Sequence, residues 1–94
     1  MARNQATVFC PPNVWTQLTN SDVSEATFQV QSSSVFVRFT TNSTAPTETS
    51  GLKYMEGEGE LQKLMSDLTS LSGAVRIWAI PANGRRAVVV VDTN

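Results

Sequence analysis

The chain of 94 residues contains no histidine and one cysteine, Cys10. Without histidine, the commonest general base near neutral pH and the commonest metal ligand are both missing. No Ser-His-Asp or Cys-His arrangement can be assembled within it. One cysteine allows neither an intramolecular disulfide nor a cysteine-rich zinc site. Charge is scarce as well: 16% of residues are charged, against about 25% in an ordinary soluble domain. Seven basic and eight acidic residues leave a net charge of −1, with no basic footprint for nucleic acid. The longest apolar run, Ala87 to Val91, is far short of the roughly 20 residues of a membrane helix. Nor does Met1-Ala2-Arg3-Asn4-Gln5 lead into the apolar stretch of a signal peptide. These absences point to a soluble, non-enzymatic protein with no cofactor, no metal, and no nucleic-acid or membrane partner.

What the chain does have is hydroxyl groups and apolar residues. Ten serines and eleven threonines supply most of the polar surface, and 40% of residues are hydrophobic. That length and composition suit one domain, residues 1–94, with a single modest core. Few charges also mean little repulsion between molecules, which suits a surface that packs against copies or partners. A β-rich fold with Ser/Thr on its outward faces accounts for the same composition.

Residues 5–10 read as a short strand stopped by Pro11-Pro12, since neither proline can donate to a ladder. Residues 1–13 therefore have two open roles: an N-terminal arm on a neighbour, its departure angle fixed by Pro11-Pro12, or a strand within the domain's own sheet. Val14 to Thr19 is β-prone. The clearest alternation is Ala26-Thr27-Phe28-Gln29-Val30-Gln31, with Ala26, Phe28 and Val30 on one face. Val35, Val37 and Phe39 repeat the pattern after Ser32-Ser33-Ser34, so residues 26–41 read as a hairpin. Residues 42–51 form a surface loop stiffened by Pro46, and Leu52 to Met55 a short strand.

Leu61, Leu64, Met65, Leu68 and Leu71 follow helical spacing, with Glu60 in the first turn and Gly73 at the exit. This predicts one short helix lying on the sheet core. A second hairpin is expected from residues 74–80 and 86–92 through Asn83-Gly84, the strongest short-range hairpin signal. The run Val88 to Val91 suggests a strand covered on both faces, by the core and by a neighbour. The sum is an all-β fold: a small antiparallel sandwich or barrel of six to seven short strands with one short helix.

Few residues invite chemistry. Glu56, Glu58 and Glu60 alternate with glycine; a calcium loop is one reading, an acidic turn ahead of a helix the other. Arg85 and Arg86 sit at the expected hairpin tip, with Arg76 on the paired strand, as a patch for an anionic partner or as charges guarding an edge. Trp15 and Trp78 are the largest apolar side chains, fit for core packing, an interface or a sugar platform. Arg76 and Trp78 share a strand face opposite Ile77 and Ala79. The interface candidates are thus Phe9, Trp15, Arg76, Trp78, Arg85 and Arg86.

Several segments taken together carry a family resemblance. They are Val14-Trp15-Thr16-Gln17-Leu18-Thr19, Thr27-Phe28-Gln29-Val30-Gln31, Ala45-Pro46-Thr47, Gly57-Glu58-Gly59-Glu60 and Gly73-Ala74-Val75-Arg76-Ile77-Trp78-Ala79. In this the chain resembles small virion structural proteins of tailed bacteriophages, of the capsid decoration (cement) or head-tail accessory kind. The resemblance spans about residues 7–92, nearly the whole sequence. The resemblance implies a β-rich subunit without catalytic residues, present in many copies on a symmetric shell. Its implied partners are the major capsid protein and copies of itself, a trimer being one such assembly. The implied location is the capsid surface of the virion, with the host cytoplasm during assembly. A tail or head-tail joining component and a carbohydrate-binding module are the alternatives.

Overall fold

The computed structural model describes residues 4–19, 25–41, 44–48, 50–64 and 76–93. They form eight strands: β1 (Asn4–Cys10), β2 (Thr16–Gln17), β3 (Glu25–Ser32), β4 (Val35–Thr40), β5 (Leu52–Tyr54), β6 (Gly59–Leu64), β7 (Arg76–Pro81) and β8 (Ala87–Thr93). One sheet has the order β1-β8-β3-β6 and the other β2-β7-β4-β5. All strand pairs are antiparallel. The protein is a two-sheet sandwich.

The alternation in the chain builds the layer between the sheets. Ala26, Phe28 and Val30 of β3 are buried, as are Val89 and Val91 of β8, from the first sheet. Val35 and Val37 of β4 and Ile77 and Ala79 of β7 meet them from the second. Full burial of a Val, Ile or Phe side chain stabilises by about 1.5–3 kcal/mol, so this layer is the main source of stability. Phe28 also touches Tyr54 edge-to-face across the two sheets, with ring centroids 5.1 Å apart. Cys10 closes one end of the core as a small buried hydrophobe.

Three expectations are corrected. Neither expected hairpin exists, because β3 and β4 belong to different sheets, and so do β7 and β8. Ser33 (φ 67°) and Gly84 (φ 73°) do take the left-handed conformations that a tight turn requires. Here those conformations swing the chain from one sheet into the other. The corners are tied together: the Ser33 hydroxyl donates to Asn83 Oδ1 at 2.8 Å, and the Ala82 N–H to the Ser34 carbonyl at 2.8 Å.

The third correction concerns the helix. Residues 59–64, which include its first leucines, are strand β6, paired with β3. Glu60 stands opposite Phe28, and Leu61 projects outward with 74% of its surface exposed. The rest of the expected helix lies outside the described residues, and no described residue is helical. Gly59 explains the strand: a Cβ there would sit 1.9 Å from the Phe28 carbonyl oxygen, so only glycine lets β6 approach β3 this closely. With β6 the strand number rises from the six or seven expected to eight.

Candidate functional site

The strand order has a geometric consequence for the surface. Each column of the sandwich, one strand from each sheet, is joined by a crossover, and all four crossovers lie at one end. Register places them there: Cys10 is opposite Ala87, Ser32 opposite Val88, and Gln29 opposite Gly59, while Val35 faces both Pro81 and Tyr54. Across this end the order is residues 11–15, 82–86, 33–34 and 55–58.

The crossover end gathers much of what a partner could grip. Phe9 (59% exposed), Val14 and Met55 are three of the protein's exposed large apolar side chains. Charge is divided between its flanks. Arg85 and Arg86 lie beside the β1–β2 crossover, and the Arg86 guanidinium sits 5.7 Å from the centre of the Phe9 ring, within cation–π range. Glu56 and Glu58 lie on the far flank, in the β5–β6 crossover.

The three glutamates do not converge. Glu56 Oε1 accepts from the Ser33 N–H at 3.3 Å, and Glu58 Oε1 from the Met55 N–H at 2.7 Å. Glu60 Oε2 accepts from the Tyr54 hydroxyl at 3.1 Å. Each carboxylate thus fastens a different part of the crossover or of the adjoining strands. Among the described residues, no three His, Cys, Asp or Glu side chains could hold a metal ion together. Phe28, Tyr54, Glu58, Glu60 and Leu61 line an open cleft of about 410 Å³ between the β5 and β6 edges. Burial, reinforced by the hydrogen bond to Glu60 and by the charges of Glu60 and Glu58, pushes the Tyr54 phenol up to about 12. It is therefore a neutral donor near pH 7. Burial pushes the Cys10 thiol up to about 11, against a smaller opposing effect of its hydrogen bond with Thr16. A thiol held protonated this way is a poor nucleophile.

The six sequence candidates fall into two groups. Phe9, Arg85 and Arg86 come together at the crossover end. Trp15, Arg76 and Trp78 lie on the outer face of the second sheet, with Arg76 and Trp78 opposite Thr40 and Arg38 of β4. Arg76 starts β7 and Arg85 follows its end. A six-residue strand rises about 16 Å, so the three arginines form no single patch. Trp78 is 7% exposed, and its indole N–H donates to Thr40 Oγ1 at 2.8 Å. The described part of the loop after β4 is tied to this face. Its Glu48 carbonyl accepts from the Trp15 indole at 2.7 Å, and its Ser50 carbonyl accepts from Arg38 Nε. Arg38 and Glu48 add an exposed ion pair at 3.7 Å, of a kind worth under about 1 kcal/mol. The chain itself thus uses the polar edges of both indoles. Val14 and Met55 escape a reading of strand propensity, because their exposure follows from crossover geometry. The proline pair before Val14 and the Glu-Gly after Met55 are the local signals of those corners.

Eight antiparallel strands in the orders β1-β8-β3-β6 and β2-β7-β4-β5 define a jelly-roll sandwich. No protein-family model, curated protein or solved structure matches the chain.

Proposed function

We propose that this protein is a non-enzymatic structural subunit of a tailed-phage virion, a capsid decoration or cement protein that stabilises the shell by bridging major capsid proteins. The observation that carries this reading is the jelly-roll strand order itself, an architecture that recurs in viral capsid domains. By the same analogy of fold, a lectin-like role is the alternative. The family resemblance of the sequence adds to it. So does the crossover end, where exposed Phe9, Val14 and Met55 share a surface with Arg85 and Arg86. Apolar anchors flanked by arginine are the composition of a protein-binding patch. In this role the subunit acts in many copies as a homo-oligomer on the capsid surface, after assembly in the host cytoplasm.

The test is co-sedimentation with purified empty capsids, with copies counted. A copy number near that of the major capsid protein is expected, and Arg86→Glu or Phe9→Ser should weaken binding at least tenfold. Failure to bind capsids would overturn the reading. A few copies per virion would point instead to a tail or head-tail joining role. The sugar-binding alternative rests on the cleft beside Tyr54, where Gln29, Glu58 and Glu60 offer hydrogen-bonding groups. Retention on a polysaccharide column that Tyr54→Ala abolishes would favour it.

A further inference from the structure

Each sheet has two edge strands, and an unguarded edge offers a row of unpaired backbone groups to any extended chain. Three of the four edges are guarded. β2 spans two residues and β5 three, too short to template a partner. β6 carries Glu60 and Lys63 and meets β3 through a shift of register. β1 has none of these defences. Its seven residues, Asn-Gln-Ala-Thr-Val-Phe-Cys, include no charge and no proline. It keeps unbroken register with β8, and no described strand pairs with its other side. Ala6 and Thr7 are exposed along it, and so is Phe9.

We infer that β1 is a homotypic docking edge: β1 of a second copy of this chain pairs antiparallel with it about a twofold axis at Thr7. The two four-stranded sheets then become one sheet of eight strands. Self-complementarity selects a second copy over a strand of another protein. Pairing about Thr7 sets Thr7 opposite Thr7, Ala6 opposite Val8, Gln5 opposite Phe9 and Asn4 opposite Cys10. No pair brings like charges together, and Thr–Thr is a favourable cross-strand pair. Phe9, with half-buried Val88 and Val90 of the adjoining β8, supplies an apolar row on the same outer face. Pro11-Pro12 ends the strand and limits pairing to these residues. The net charge of −1 leaves little long-range repulsion between copies. Such a contact is isologous and gives a dimer as the unit, in place of a trimer. It does not depend on the shell-binding reading.

Sedimentation velocity on the full chain, from about 10 μM to about 1 mM, tests the pairing. A monomer–dimer equilibrium is expected. Thr7→Lys, which sets two ammonium groups opposite each other at the axis, should raise the dissociation constant at least tenfold. An equimolar mixture of Thr7→Lys and Thr7→Glu should recover the dimer. Lys53→Glu, exposed on β5 of the other sheet, should leave association unchanged. Unaltered melting temperatures establish that the exposed-site variants fold. A wild-type chain that stays monomeric, a dimer indifferent to Thr7→Lys, or an assembly of three subunits would overturn the inference. Capsid co-sedimentation of the same variants separates the two readings: a monomeric wild type that still binds shells sinks the pairing alone.

Discussion

Phe28 is where the sandwich can be tested most sharply. It is 1% exposed, its strand is flanked by β8 and β6, and its ring meets Tyr54 of the opposite sheet at 81°. Truncating a buried phenylalanine to alanine costs about 3–5 kcal/mol, from lost transfer energy plus the cavity left behind. A domain of this size has about 5–15 kcal/mol in all. Phe28→Ala should therefore lower the melting temperature by about 12 °C or more, at about 4–8 °C per kcal/mol. Phe28→Leu keeps most of the apolar volume and should cost about 1.5 kcal/mol or less. The edge-to-face contact can be isolated in a double-mutant cycle of Phe28→Leu with Tyr54→Leu, with an expected coupling of about 0.5–1.5 kcal/mol. Urea unfolding followed by far-UV circular dichroism gives each term. If Phe28→Ala stays within about 1 kcal/mol of wild type, Phe28 does not join the two sheets and the packing described here is wrong.

Other perturbations have equally definite signs. Gly59→Ala places a methyl against the Phe28 carbonyl oxygen, and should cost about 1–3 kcal/mol in the same unfolding assay. Gly57→Ala and Gly84→Ala meet open space and should cost only the conformational strain of positive φ, about 1–2 kcal/mol each. The Cys10 thiol is raised from 9.0 to about 11 on folding, so the unfolded chain ionises first as pH rises. Its contribution to stability is full below about pH 9 and fades towards pH 11, a loss of up to about 3 kcal/mol that Cys10→Ala should remove. In Trp15→Phe, the remaining Trp78 fluorescence should resist acrylamide, because that ring is buried. In Trp78→Phe, half-buried Trp15 should be quenched several-fold more readily.

The sequence discloses faces far better than neighbours. Alternation in 26–31 and 35–39 identifies Ala26, Phe28, Val30, Val35, Val37 and Phe39 as inward; the first five are buried, and Phe39 is partly buried against the core. It is silent about which strand lies alongside, because period two reports only which side of a sheet a residue faces. The Asn83-Gly84 signal illustrates the limit. Positive φ at Gly84 serves a tight hairpin and a corner between sheets alike, and long-range pairing decides which is built. Leu61 and Leu64 mimic a helix because their spacing also fits that period, while the glycine that admits β6 beside β3 looks like a breaker. Among the site candidates, Phe9 with Arg85 and Arg86 could be found from local turn signals. The tie between the Trp15 indole and Glu48 could not, since it depends on a loop whose course no local pattern reveals.

The position of β8 has a consequence for how the protein is made. The last described strand, Ala87–Thr93, is inserted between β1 and β3. During synthesis β1 therefore waits without its neighbour until the 76 residues between Cys10 and Ala87 have been made. An all-β fold dominated by such distant pairings assembles over milliseconds to seconds, and its earliest strand is the unguarded one. Crowded polysomes, where many nascent β1 segments coexist, are thus the setting in which mispairing competes with folding.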